Sequence, residues 1–217
     1  MLKCSASLWS ADMANFESAI KRVDPFVDAY HLDVADGHFT PTLLFFPDLV
    51  SALRPHTRRP FEVHLMATDP LMWIEPFIEA GVDAFIFCHD SLDDVGRGIQ
   101  AVKDRGKRVG VSLRIEEPVD LLNPYFANLD LITLLGTAVG IKGASMDPSV
   151  PDKIRTAREH IKHAGANTEM MCDGGIRRHT VPLMHEAGAD WIVPGSLMFD
   201  EDPAEIRQWL ASLDRAE

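Results

Sequence analysis

The sequence predicts an α/β protein folded as a (β/α)8 barrel, with residues 1–217 forming a single domain. Three observations lead to that class. Short apolar runs alternate with amphipathic segments along the whole chain, about eight times, the number that lets parallel strands close on themselves. The fragments EAGVDAF, KHAGANTEM and HEAGADWI repeat one pattern of helix end, glycine turn and new strand. No G-x-G-x-x-G occurs early in the chain, which disfavours the doubly wound open sheet, and no low-complexity tract marks a linker between domains.

Taken in order, the strands read as residues 3–8, 29–34, 61–66, 84–88, 108–113, 129–135, 168–172 and 191–193. Helices read as 12–22, 47–53, 70–80, 92–105, 119–127, 150–164, 179–187 and 203–213. Ser10 and Asp12 stand where a cap for the first helix belongs, and Asp69 before Pro70 has the form of a cap followed by proline at the first helical position. Gly81, Gly106, Gly165 and Gly188 each follow a helical pattern, where a left-handed residue ends the turn.

Composition narrows the function. A hydrophobic content of 46% over 217 residues supports one sizeable core. The formal net charge of -12 argues against nucleic acid or anionic lipid as partner. No apolar run approaches the roughly 18 residues of a membrane span, and the amino terminus lacks the apolar stretch of an export signal. Three well-separated cysteines, each in an apolar run, fit reduced thiols in a cytoplasmic protein.

In such a TIM barrel the ligand meets the carboxyl ends of the strands. Those ends carry Ser7, His31 with Asp33, His64 with Met66, His89, Arg114, Gly136, Asp173 with Gly174 and Gly175, and Gly195 with Ser196. His31 and Asp33 lie two positions apart on one strand and so share a face. Taken singly, each histidine reads as a core residue and each aspartate as a turn former. Together, two imidazoles and two carboxylates make a mixed N/O set for one divalent metal: Zn²⁺, Mn²⁺, Fe²⁺ or Co²⁺. Two acids at one buried rim call for a cation or a proton-transfer task. Gly174, Gly175, Gly195 and Ser196 follow the last two strands, the usual phosphate position of the fold, although glycine pairs are also ordinary turn formers.

The stretches SLWSAD, HLDVADGHFTP, EVHLM, MCDGGI and VPGSLMF resemble, in order and spacing, the motifs of ribulose-phosphate 3-epimerases and related ketose-phosphate 3-epimerases. The resemblance runs nearly end to end. It implies one catalytic divalent metal on His31, Asp33, His64 and Asp173, with Asp33 and Asp173 also exchanging protons with a small-molecule ketose phosphate at C3. It further implies Ser7 and His64 touching substrate and Gly174, Gly175, Gly195 and Ser196 holding phosphate. Homo-oligomers are frequent in that family. Inversion at C3 needs a base on one face of a planar enediolate and an acid on the other, which two carboxylates from different strands provide. Met66 and Leu65 are read as a weakly polar wall beside it, although core packing is the commoner role of such residues.

The match thins after the sixth strand. Where the family carries a glycine-rich G-F-G-G loop, this chain reads LLGTAVGIKGAS, with Gly140 and Gly143 in the outer glycine places and Lys142 at an inner one. Lys142 is expected either to contact phosphate as a point charge or to mark a rearranged loop. Ala35 stands where methionine is frequent, and LRIEEP replaces an asparagine-proline pattern. The expectation is conserved chemistry with altered substrate choice. The rivals are another metal-dependent isomerase or lyase on the same barrel and a noncatalytic sugar-phosphate binding protein.

Overall fold

Alternation along the first strand sets the plan of the molecule. In β1 (Lys3–Ser7), Cys4 and Ala6 join the core between sheet and helices, while Ser5 and Ser7 turn the other way and bond to Glu62 and Asp33. The structure, a computed structural model, describes residues 1–214; the last three positions of the expected domain lie outside the described residues. The other strands are β2 (Ala29–Asp36), β3 (Leu43–Leu44), β4 (Phe61–Met66), β5 (Ala84–Cys88), β6 (Arg108–Leu113), β7 (Leu131–Leu135), β8 (Glu169–Asp173) and β9 (Trp191–Val193). Neighbours run β1-β9-β8-β7-β6-β5-β4-β2, and β1 pairs with β2, closing a parallel barrel. The expected (β/α)8 architecture is thus the observed one.

Two apolar clusters follow from strands with both faces covered. The larger lies outside the barrel, where Leu32, Val63, Phe85 and Val109 meet the helices. The smaller fills the interior with Ala29, Ile86, Leu131, Met171, Trp191 and Val193. Beneath it, Glu169 binds Lys3 and Arg108, both at 2.5 Å, and the Lys3 ammonium sits 4.8 Å from the Trp191 ring centre. The polar residues at the opposite end therefore stand on a filled floor. Cys4, Cys88 and Cys172 are buried and unbridged. No helix among the described residues is long and apolar enough to cross a membrane.

The helices are α1 (Phe16–Val23), α2 (Pro47–Leu53), α3 (Ile74–Glu79), α4 (Val95–Lys103), α5 (Val150–His163), α6 (Val181–Ala187), α7 (Ser196–Phe199) and α8 (Pro203–Leu213). Several expectations need correction. The stretch 119–127 forms two 3-10 turns, Val119–Leu122 and Phe126–Asn128, because Pro124 between them lacks an N–H. Residues 70–80 divide into a 3-10 turn, Pro70–Trp73, and α3, and the Asp69 side chain makes no capping bond. Ser10 lies in its own 3-10 turn, and Asp12 accepts from Ala14 N at 3.0 Å, so neither caps α1. Asp94 caps α4 and Asp202 caps α8. β3 has no signal in the sequence: two residues of an apolar run fold back antiparallel on the end of β2. Gly188 ends α6 with φ +110°, as its position predicts.

Candidate active site

β2, β4 and β8 bring four side chains into one cluster. His31 and Asp33 project inward from β2, His64 from β4 and Asp173 from the last position of β8. One ligand atom from each lies within 4.8 Å of all the others. The His31 Nε2 atom stands 3.7 Å from Asp33 Oδ1 and 3.8 Å from Asp173 Oδ2; His64 Nδ1 stands 4.0 Å and 3.9 Å from the same two oxygens. These separations are too long for direct hydrogen bonds.

Both imidazole nitrogens that face the cluster are buried without a hydrogen-bond partner. Stranding two such groups beside two carboxylates is costly unless a cation sits between them. The donor set, two neutral imidazoles and two carboxylates, suits a divalent transition metal. Burial holds both histidines down to about 3, so each is neutral and keeps a lone pair.

The two acids differ in their surroundings. Burial raises Asp33, partly offset by the Ser7 hydroxyl (2.8 Å) and the Lys142 charge. Asp173 is raised well above the usual carboxylate range by burial and by the neighbouring charge of Asp33, against a single Gly174 N–H. Burial thus pushes both acids toward the protonated form, and a cation held between them would favour the carboxylates.

Above the cluster opens a cleft of about 850 Å³ counted to its mouth. Ser7, Asp33, His64, Met66, Asp173, Gly174, Gly175, Gly195, Ser196, Gly140, Lys142 and Gly143 all line it, so the sequence-predicted set converges, with His31 as its fully buried floor. Leu65 is the correction: it faces away, into the outer core. The β7–α5 loop folds across the mouth. Its Val139 packs with Ala35, Met66, Cys88 and Phe39, and Thr42 Oγ1 donates to Gly140 O at 3.4 Å. Lys142 Nζ donates to Trp9 O at 2.9 Å, tying that loop to the turn after β1.

The glycines answer to crowding as well as chemistry. A side chain on Gly175, at φ +69°, would stand 2.6 Å from the Met146 backbone, and one on Gly195 would stand 2.3 Å from Ser10 Oγ. Asp36 proves to be a turn builder, its carboxylate accepting from His38 N, Phe39 N and Thr68 N, each at 2.8 Å. His89 bonds Glu117 at 2.9 Å and stays out of the cluster. Trp9, Ser10 and Arg177 also line the cleft, and Ser112 lies behind His64, places the sequence did not assign to them. Ser112 carried one signal, a buried hydroxyl in the otherwise apolar run VGVSL.

Known proteins point the same way. The family described as Ribulose-phosphate 3 epimerase family matches residues 3–199. Ribulose-phosphate 3-epimerase of Bacillus subtilis (strain 168) is 35% identical over 203 residues, covering 93% of this chain and 94% of that protein. Ribulose-phosphate 3-epimerase of Escherichia coli (strain K12) is 31% identical over 90% of this chain and 88% of its own. Among solved structures, KGPDC from Streptococcus mutans superposes with a TM-score of 0.70 at 12% identity, over 99% of this chain and 98% of that one, a likeness of fold alone. A site built from two imidazoles and two inequivalent carboxylates, on a barrel that these relatives match nearly end to end, makes this chain an isomerase belonging to the ribulose-phosphate 3-epimerase family.

Proposed function

We propose that the protein inverts C3 of a small-molecule ketose phosphate, ribulose 5-phosphate or a close relative, in the cytoplasm. The observation that carries the reading is the convergence of His31, Asp33, His64 and Asp173, two imidazoles and two carboxylates from three strands, on a single cluster. His31, Asp33, His64 and Asp173 would hold the divalent metal, which is Zn²⁺, Mn²⁺, Fe²⁺ or Co²⁺. When bound, it supplies Lewis-acid polarisation of the C2 carbonyl and C3 hydroxyl, lowering the barrier to C3 deprotonation.

The residues of the chain do the rest. Asp33 takes the C3 proton, leaving a planar enediolate. Asp173 returns a proton to C3 from the opposite face, so the C–H bond broken on one side is remade on the other. In the reverse direction the two acids exchange roles. Ser7 keeps Asp33 oriented, and Met66 offers a soft apolar wall. Gly174, Gly175, Gly195 and Ser196 hold the phosphate through backbone N–H groups, with Gly140, Lys142 and Gly143 closing over it. These local donors offset the net charge of -12.

The test is an NMR screen of ketose phosphates in D₂O with metal-reconstituted protein, including ribulose 5-phosphate, allulose 6-phosphate and four-carbon ketose phosphates. Deuterium at C3 together with the C3 epimer is the expected result. Carbon–carbon cleavage or an aldose product would replace the reading with a lyase or an aldose-ketose isomerase, and binding without turnover would leave a sugar-phosphate binding protein.

A further inference from the structure

His64 is gripped from both ends, and the outer grip lies on β5 and β6. Its Nδ1 faces Asp33 and Asp173. Its Nε2 points the other way and lies 2.9 Å from Ser112 Oγ and 3.4 Å from Cys88 Sγ. Ser112 is buried, and its hydroxyl also lies 3.3 Å from the Phe87 carbonyl. Cys88 and Ser112 are register partners on adjacent strands, so β5 and β6 deliver both groups to the back of the ring at one level.

These contacts decide where the imidazole proton sits. The Ser112 hydroxyl has one proton; with that proton on the Phe87 carbonyl, which only accepts, Ser112 Oγ is left to accept from His64. That requires the proton on Nε2. The opposite tautomer would place an N–H on Nδ1, which is buried with no acceptor within hydrogen-bond distance, and would pull the serine hydroxyl off the carbonyl. We propose that Ser112 is a positioning residue that fixes His64 as the Nε2-protonated tautomer and aims its Nδ1 lone pair at the centre of the four-residue cluster. This rests on the metal-centre reading above. His31 has no such partner, because both its ring nitrogens are unbonded. The preorganised imidazole is thus His64, and Ser112 is where its ligand strength is set.

Two measurements test this. Long-range proton–nitrogen NMR on metal-free protein labelled with ¹⁵N-histidine reads the tautomer directly, and the expected result is a single Nε2-protonated His64. In Ser112→Ala the Nδ1-protonated form appears, and zinc affinity measured by chelator competition falls by about 10- to 100-fold. A His64 found Nδ1-protonated in the unsubstituted protein overturns the proposal even if the variant fails to fold. So does a folded Ser112→Ala with unchanged tautomer and unchanged zinc affinity. His64→Ala separates the two layers of the argument. If it abolishes zinc binding while Ser112→Ala leaves zinc binding untouched, only the present inference fails; if it keeps zinc binding, the metal centre itself fails.

Discussion

Ser7 divides the work of the two oxygens of Asp33. Its hydroxyl donates to Oδ2 at 2.8 Å, while Oδ1 faces His31 at 3.7 Å and His64 at 4.0 Å. One oxygen is tied to the wall of the barrel and the other is presented to the cluster. Because that bond favours the carboxylate, removing it raises the Asp33 pKa and the base is lost at higher pH. Ser7→Ala is therefore expected to move the acidic limb of the kcat/KM profile upward by about one pH unit, the worth of a hydrogen bond to a charged group. A profile that does not move separates Ser7 from Asp33.

The proposed inversion requires both Asp33 and Asp173. Asp33→Asn and Asp173→Asn keep a ligand oxygen but lose the titratable proton, and each is expected to lower epimerisation by about 10² to 10⁴ with no fall in Tm. Any remaining exchange of the C3 proton in D₂O should be confined to the epimer whose hydrogen faces the surviving acid. Near-normal epimerisation in either variant removes that residue from the mechanism.

Lys142 tests the altered loop. Its ammonium spends one N–H on Trp9 O, which leaves donors for a phosphate held beside the loop. Lys142→Ala is expected to raise KM for a ketose phosphate about tenfold and to affect the unphosphorylated ketose much less. An equal effect on both substrates would make Lys142 a strap across the cleft and nothing more.

Glu62 carries a pH signature of its own. It is buried in the barrel, bonded to Ser5 Oγ at 2.6 Å, and burial pushes it up to about 7. Its folded pKa lies above the unfolded value of about 4.3, so the folded chain holds this proton more tightly. The stability it contributes is complete below the unfolded pKa and is lost as pH rises toward 7. In metal-free protein, Glu62→Gln is thus expected to match the parent at low pH and to gain up to about 3 kcal/mol at about pH 8. Denaturant melts at the two pH values check this, and a gain independent of pH contradicts it.

The barrel and its metal-type cluster were legible because both rest on alternation. His31 and Asp33 share a strand face by parity, and the αβ repeat places strand ends at one rim. What stayed hidden depends on long-range contact. Ser112 is an ordinary strand serine until β5 and β6 set it 2.9 Å from His64. β3 is two residues long and exists only by pairing with the end of β2. The stretch 119–127 has the apolar spacing of a helix, but Pro124 prevents one.

The most direct measurement is anomalous diffraction from crystals of the protein reconstituted with cobalt. The account predicts one strong peak bonded to His31 Nε2, Asp33 Oδ1, His64 Nδ1 and Asp173 Oδ2 together. A peak elsewhere, or a cluster that stays empty while the enzyme turns over, contradicts it.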